Sequence, residues 1–309
     1  MDKTSVDWHG VMPAIVTPFD ATGAIDEAAY RRNIEHCIDY GCTGVVPTGC
    51  TGEAWSLTLD ERKRLFKLAV ETANGRIRVI AGTSAVPAPE VIAMNAYAKE
   101  VGCDGVMIMP PFFPKLHSPE DVLCHYRMVS DAVQIPIMLY NVPGYNVNEL
   151  TPELIARLAD IENVVAIKES TTDFGKFYKT MELAGDSILV FTGQLSLYGV
   201  AAIEHGAVGA VSGAPNVLGR DSVVYFEACR DGDLELGLRL ERKAVELWDL
   251  YLANGRNLYP SVKAGMNMLG LPGGYPRMPL RPLGEPDLTE LREGMERLGF
   301  DVRHADAAE

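Results

Sequence analysis

Three stretches of this 309-residue chain repeat one signature, in which a glycine, two further residues and a second glycine lead into an apolar residue. They are Gly41-Cys42-Thr43-Gly44-Val45, Gly102-Cys103-Asp104-Gly105-Val106 and Gly206-Ala207-Val208-Gly209-Ala210. A glycine free to adopt the left-handed conformation closes a helix just before a strand begins. Three copies argue for a repeated helix-to-strand connection, hence an array of like units. The apolar runs fit that reading. Strands are expected at Met12–Thr17, Gly44–Pro47, Arg78–Ala81, Val106–Met109, Pro136–Tyr140, Val164–Lys168, Ile188–Thr192 and Gly209–Ser212, with amphipathic stretches between them. The runs are continuously apolar rather than alternating, as a parallel sheet buried on both faces requires. A doubly wound open sheet is the rival, but it usually carries a Gly-x-Gly-x-x-Gly turn, and none occurs here. The pattern predicts an α/β chain folded as a (β/α)8 TIM barrel.

Helix starts are well marked. Thr58-Leu59-Asp60-Glu61 is a capping box, and Ser118-Pro119 and Thr151-Pro152 each place proline just after a capping hydroxyl. The last barrel helix is expected at about Asp221–Arg230. Beyond it, Asp233–Ala253, Val262–Leu269 and Leu288–Leu298 look helical, joined by the Gly- and Pro-rich stretch Gly270–Pro286. The chain thus divides into a barrel over 1–231 and a small C-terminal helical appendage over 232–309, read as an addition rather than a second catalytic domain.

A net charge of −14 repels phosphate backbones, so no nucleic-acid partner is expected. Apolar runs such as Leu195–Ile203 stop well short of a membrane span, and the first residues carry no apolar signal-peptide core. The six cysteines (37, 42, 50, 103, 124 and 229) form no Cys-x-x-Cys pair, which suits a reduced, cytoplasmic chain. The six histidines (9, 36, 117, 125, 205 and 304) show no metal-binding spacing, and no metal is expected.

In such a barrel, chemistry sits at the C-terminal ends of the strands. Lys168 closes Val164-Val165-Ala166-Ile167 there. Desolvation lowers a buried lysine's pKa toward the neutral amine, which attacks ketones and forms an imine. The plainer reading is a lysine that reaches solvent or pairs with Glu169. Tyr140 closes the neighbouring strand, either as a phenol that moves protons for that amine or as a packing residue. After the second strand, Gly49-Cys50-Thr51-Gly52-Glu53 can turn its amides toward an anion, with the Thr51 hydroxyl as a further donor. It lacks the Gly-Lys-[Ser/Thr] ending of a nucleotide loop, so a carboxylate is the expected anion, and a simple tight turn is the alternative.

Together Gly-x-Thr-Gly-Glu, Tyr-Asn-Val-Pro at Tyr140–Pro143 and Ile-Lys-Glu-Ser at Ile167–Ser170 resemble the dihydrodipicolinate synthase / N-acetylneuraminate lyase family. Val262-Lys263 and Leu271-Pro272-Gly273-Gly274 extend the resemblance to nearly the whole chain. It implies a class I (Schiff-base) lyase on a TIM barrel, acting on pyruvate or another 2-oxo acid by aldol cleavage or condensation, dehydration or deamination. An aldehyde is the second substrate in condensation, and no cofactor is needed beyond the covalent imine. By the same resemblance Lys168 is the imine-forming lysine and Tyr140 the proton-transferring phenol. Cys50 and Thr51 hold the 2-oxo acid's carboxylate through their amides, Thr51 also links to Tyr140, and Gly193 and the carbonyl of Val211 line the pocket. A homotetramer, a dimer of dimers, is implied as well.

Two departures bear on the substrate. In the synthases an arginine stands two positions after Tyr-Asn-Val-Pro and binds the aldehyde's carboxylate; here that residue is Tyr145. A second tyrosine, which reaches across a subunit interface in those enzymes, is replaced by Phe113. The acidic pair that sialic-acid lyases place after the seventh-strand glycine is missing, since Gly193-Gln194 runs into Leu195-Ser196. Phe113, Tyr145 and Leu195, with Trp55, are therefore expected to give an apolar pocket for the second substrate. The alternatives are a true 4-hydroxy-tetrahydrodipicolinate synthase and a barrel that binds a 2-oxo acid without turnover.

Overall fold

A computed structural model describes residues 1–116 and 118–303; His117 and positions 304–309, with His304 among them, lie outside the described residues. Eight parallel strands form the sheet: β1 (Gly10–Pro13), β2 (Gly44–Val45), β3 (Arg78–Gly82), β4 (Gly105–Ile108), β5 (Ile137–Asn141), β6 (Val164–Glu169), β7 (Leu189–Thr192) and β8 (Gly209–Ser212). Neighbours in sequence are neighbours in space, β1 pairs with β8, and a bridge between Ala14 and Val46 closes the ring. The helices that follow are α1 (Glu27–Asp39), α2 (Leu59–Ala73), α3 (Ala88–Val101), α4 (Pro119–Ala132), α5 (Pro152–Leu158), α6 (Phe174–Ala184) and α7 (Leu195–Glu204). After β8 come α8 (Pro215–Leu218), α9 (Arg220–Arg230), α10 (Leu234–Leu252), α11 (Leu258–Met268) and α12 (Glu285–Arg297). This is a (β/α)8 TIM barrel with a C-terminal helical appendage.

Both glycines of the repeated signature have physical work. Gly41, Gly102 and Gly206 have φ of +86°, +91° and +100°, the left-handed exit in which a side chain is strained. The second glycine opens β2, β4 or β8, where backbones and plugging side chains crowd together. A Cβ on Gly105 would lie 2.4 Å from the ring of Trp8, and one on Gly209 would lie 2.1 Å from the carbonyl oxygen of Gly10. Trp8, Met12, Ile80, Met107, Met138, Phe191 and Val211 are buried together inside the ring. A larger apolar layer lies outside it, including Ile34, Leu65, Phe66, Leu123, Ile155 and Phe177 from the helices and Ile108, Leu139 and Ile167 from the strands.

Helix starts follow the sequence. The Thr58 hydroxyl accepts from the amide of Glu61, whose carboxylate accepts in return from the amide of Thr58. Two strands are shorter than expected: β1 ends at Pro13, and β2 ends before the bridge at Val46. Pro47, which has no N–H, cannot extend β2 as a donor. α11 starts four residues before the expected Val262, because the Asn257 side chain accepts from the amide of Tyr259 (3.1 Å). Pro260 is tolerated there, since first-turn amides have no partner inside the helix.

The appendage packs on the barrel through its own apolar cluster, where Leu247, Tyr251, Val262, Met266, Leu291 and Met295 meet Val16, Val217 and Leu218. At its centre lies a buried ion pair. Lys263 on α11 pairs with Glu53 from the loop after β2, and both side chains are sealed from solvent. Lys263 also donates to the carbonyls of Thr17 (2.7 Å) and Tyr275 (2.8 Å), while Glu53 accepts from the amide of Arg277 (3.1 Å). Removing one member leaves the other buried and uncompensated, which costs about 3–5 kcal/mol. Lys263→Met is expected to lose stability of that order in urea unfolding, and Lys263→Met with Glu53→Gln to recover part of it. A single variant as stable as the wild type would remove this pair from the joint between barrel and appendage.

Candidate active site

Lys168 is the fifth residue of β6, and Tyr140 stands opposite it on β5 in the parallel register. Both side chains point into the mouth of the barrel, where Lys168 is only 5% exposed. Its Nζ lies 4.2 Å from the centroid of the Tyr140 ring. Among the described residues it makes no ion pair, and no protein acceptor takes a hydrogen bond from it. Burial pushes its pKa down to about 8, against a smaller upward pull from Cys50. The plainer reading, a pair with Glu169, does not hold. That carboxylate accepts from Asn141 Nδ2 (2.9 Å) and the amide of Thr171 (2.8 Å), bracing the loops after β5 and β6. Burial also pushes Glu169 up to about 7, despite those bonds.

The loop after β2 approaches from the other side. Its turn is held by the amide of Gly52 donating to Gly49 (3.1 Å) and that of Glu53 to Cys50 (2.9 Å). Among the described residues the amides of Cys50 and Thr51 donate to no protein acceptor, so they are available to an anion. The left-handed backbone of Thr48 (φ 52°) and Glu53 (φ 53°) fixes the turn, and the Thr17 hydroxyl donates to the carbonyl of Gly52 (2.8 Å). The expected link between Thr51 and Tyr140 is not formed. The Tyr140 hydroxyl meets Cys50 Sγ instead, at 3.6 Å, and the Thr51 side chain lies against Gly213. Burial, then the neighbouring Cys50, holds the Tyr140 phenol well above its ordinary range.

These groups share a cavity of about 110 Å³ that also includes Tyr145, Ser170, Gly193 and Gln194. Gly193 is required where it stands, because a Cβ there would lie 1.8 Å from Ser170 Oγ. That hydroxyl is buried at the cavity wall without a hydrogen-bond partner. Tyr145 reaches the cavity from its rim, 60% exposed.

Two expected site residues fall elsewhere. Leu195 is fully buried in the layer between strands and helices, because α7 turns it away and presents Ser196. Phe113 is 81% exposed on the loop after β4 and does not reach the cavity of its own chain. On β8, where the Val211 carbonyl was expected, the Val211 side chain packs inside the barrel and Ser212 and Gly213 line the cavity just beyond it. The apolar wall comes instead from the appendage, through Leu247, Trp248, Tyr251, Leu258, Tyr259 and Val262. The sequence placed the start of α11 too late to see that Tyr259 and Lys263 lie one turn apart, with Lys263 tied to the anion loop. That i, i+4 spacing was the available signal. Among the described residues no group of three or more His, Cys, Asp or Glu is arranged to hold a metal ion.

A buried amine at a strand end, facing a phenol and an anion-ready loop in a closed eight-stranded barrel, defines a barrel lyase of the class I aldolase type. The chain belongs to the Dihydrodipicolinate synthetase family, which it matches over residues 7–298. It is 37% identical over 292 residues to an uncharacterized DapA-like lyase of Rhizobium meliloti, covering 94% of this chain and 96% of that one. It is 35% identical over 293 residues to a 4-hydroxy-tetrahydrodipicolinate synthase of Pelobacter propionicus, covering 95% and 99%. Among solved structures, dihydrodipicolinate synthase from Aquifex aeolicus superposes with a TM-score of 0.89 at 30% identity, covering 96% of this chain and all of that one. YagE, a prophage protein of the same family from E. coli K12 in complex with pyruvate, gives 0.90 at 26% identity, covering 96% and 100%.

Proposed function

We propose that this lyase forms an imine between Lys168 and the ketone carbon of pyruvate or a related 2-oxo acid. The observation that carries the reading is the unpaired, buried amine of Lys168 above the Tyr140 ring. The free amides of Cys50 and Thr51 would hold the carboxylate, setting the ketone carbon before Nζ. The nitrogen attacks, its protons pass to the carbonyl oxygen, and that oxygen leaves as water. One further proton on nitrogen gives the iminium, which draws electrons from C3, so a bond at C3 can be made or broken. Tyr140 is the group placed to carry these protons. The pyruvate complex of YagE supports the choice of a 2-oxo acid. A barrel that only binds has no use for an unpaired buried amine, which is costly to keep.

Pyruvate and borohydride are expected to leave a stable adduct on Lys168, detected by peptide mass. Its rate of formation should rise with pH through about 8, where this amine loses its proton, rather than near the ~10.4 of an exposed lysine. Lys168→Ala should give no adduct and no turnover. An intact protein without added mass would overturn the assignment.

The second substrate is read from the wall. Lys168 is the one charged side chain among the cavity's described lining residues. Tyr145 stands where the synthases carry arginine, and Arg277 is engaged by Glu61 (2.8 and 2.9 Å) and the carbonyls of Gly23 and Ser56. The second substrate is therefore an uncharged aldehyde fragment rather than a carboxylated one. Wild type should condense pyruvate with aspartate semialdehyde poorly, and Tyr145→Arg should gain about ten- to a hundredfold, as a charge-assisted contact of about 1.5–3 kcal/mol allows. Ordinary synthase rates in wild type would restore the synthase reading.

We also propose a homotetramer, on the exposure of Phe113 beside Phe112 in a loop at the barrel mouth. Light scattering that returned a particle of 33.7 kDa at micromolar concentration would reject it.

A further inference from the structure

The buried amine needs a route for protons, because iminium formation consumes one and each transfer at C3 moves another. Tyr140 cannot be the end of that route. Its side chain is only 4% exposed, and the protein group its hydroxyl meets is Cys50 Sγ at 3.6 Å. The next phenol outward comes from the appendage. Tyr259, in the first turn of α11, lines the same cavity as Lys168, Tyr140, Cys50 and Tyr145. It is itself buried, with its ring against that of Trp55 at 4.6 Å between centroids. Its titration is raised by burial first, then by Cys50 and by Tyr145, both of which line the same cavity. Tyr145, in turn, is largely exposed. Three phenols and a thiol thus run from the amine to solvent within one chain.

The placement of Tyr259 is not incidental to packing. Lys263 lies one turn further along α11, and its ion pair with Glu53 fixes that helix against the loop carrying Cys50. The Asn257 cap sets the first turn, so the backbone of Tyr259 is held at both ends of a single helical turn. A side chain wanted only for apolar fill would do as well as phenylalanine at this position.

We propose that Tyr259 is a proton-relay residue of the site, passing protons between the Tyr140–Cys50 pair and the solvent-exposed Tyr145. Resting on the imine reading above, the step is balanced. Tyr140 gives its proton to the carbonyl oxygen that leaves as water, and recovers one through Cys50 and Tyr259. Tyr259 is reprotonated from Tyr145, and Tyr145 from bulk water, so one solvent proton enters per iminium formed. The relay acts on Tyr140 rather than on substrate, which makes Tyr259 a positioning and relay group.

The test uses the full-length protein with pyruvate alone. Two quantities are read: the borohydride adduct on Lys168, and the exchange of pyruvate C3 hydrogens for deuterium by NMR in D2O. In Tyr259→Phe the adduct should still form to completion, while exchange falls by about ten- to a hundredfold, within the range of a lost acid–base group. The pH profile of exchange should lose or shift its alkaline limb. Tyr145→Phe should lower exchange as well, and the double variant should fall no further than Tyr259→Phe, because the two act in series. Exchange and pH profile unchanged in Tyr259→Phe would overturn the relay, as would losses that multiply in the double variant. Absence of an adduct in wild type would instead overturn the imine reading, so the two failures are told apart. Should Tyr259→Phe unfold, Tyr145→Phe with unaltered exchange would overturn the relay by itself.

Discussion

The arrangement of this molecule turns on how two buried lysines are satisfied. Lys263 has an acceptor for each of its protons: the Glu53 carboxylate and the carbonyls of Thr17 and Tyr275. Such an ammonium is a structural cation, and its position is dictated as firmly as that of a core side chain. It holds α11 on the loop after β2, and so holds the appendage on the mouth of the barrel. Lys168 is buried nearly as deeply yet has an aromatic face instead of acceptors. Burial lowers both amines to about 8, so what separates them is their partners. One lysine is thereby tied into the joint between barrel and appendage, while the other is left without a protein partner at the cavity.

The barrel supplies the rest of that contrast through register. Parallel pairing sets Tyr140 beside Lys168 on adjacent strands, and the next residues, Asn141 and Glu169, pair with one another. A one-residue slip of β6 would turn Lys168 out of the mouth and put the Glu169 carboxylate in its place. The Asn141–Glu169 contact therefore does more than brace two loops. It keeps that carboxylate occupied and turned away, so among the described residues the amine makes no ion pair. Gly193 completes the mouth by letting Ser170 approach to a distance no side chain would allow.

The barrel was legible in the sequence because its constraints are local. Left-handed glycine exits, apolar strand runs and capping residues each act within a few positions, and all recur in the structure. Lys168, Tyr140, Cys50 and Thr51 were legible for a related reason, since a strand end in this fold has one place to point. The wall opposite them was not. Leu195 and Phe113 were assigned by their places in the family's motifs, but the first helical turn of α7 and an outward loop carry both away. Nothing local marks Leu247, Trp248 or Tyr259 as site residues. They reach the cavity through a contact between positions 53 and 263, which periodicity and spacing do not register.

This division has a consequence for how such a chain can change its substrate. The groups beside the amine all sit at strand ends or in the loop after β2, where the register and the glycines leave little freedom. The wall facing them belongs to α10 and α11, two helices outside the strands, of which α10 packs against α7 and α9 and α11 against α8. Substitution at Leu247, Trp248 or Leu258 alters the shape offered to a second substrate without touching the register of β5 and β6. The ion pair is the exception, because moving Lys263 moves Tyr259 and the anion loop together. On the imine reading proposed above, chemistry and selectivity are carried by separate segments, and the buried Lys263–Glu53 pair between them is where a change in the appendage would be felt by the amine.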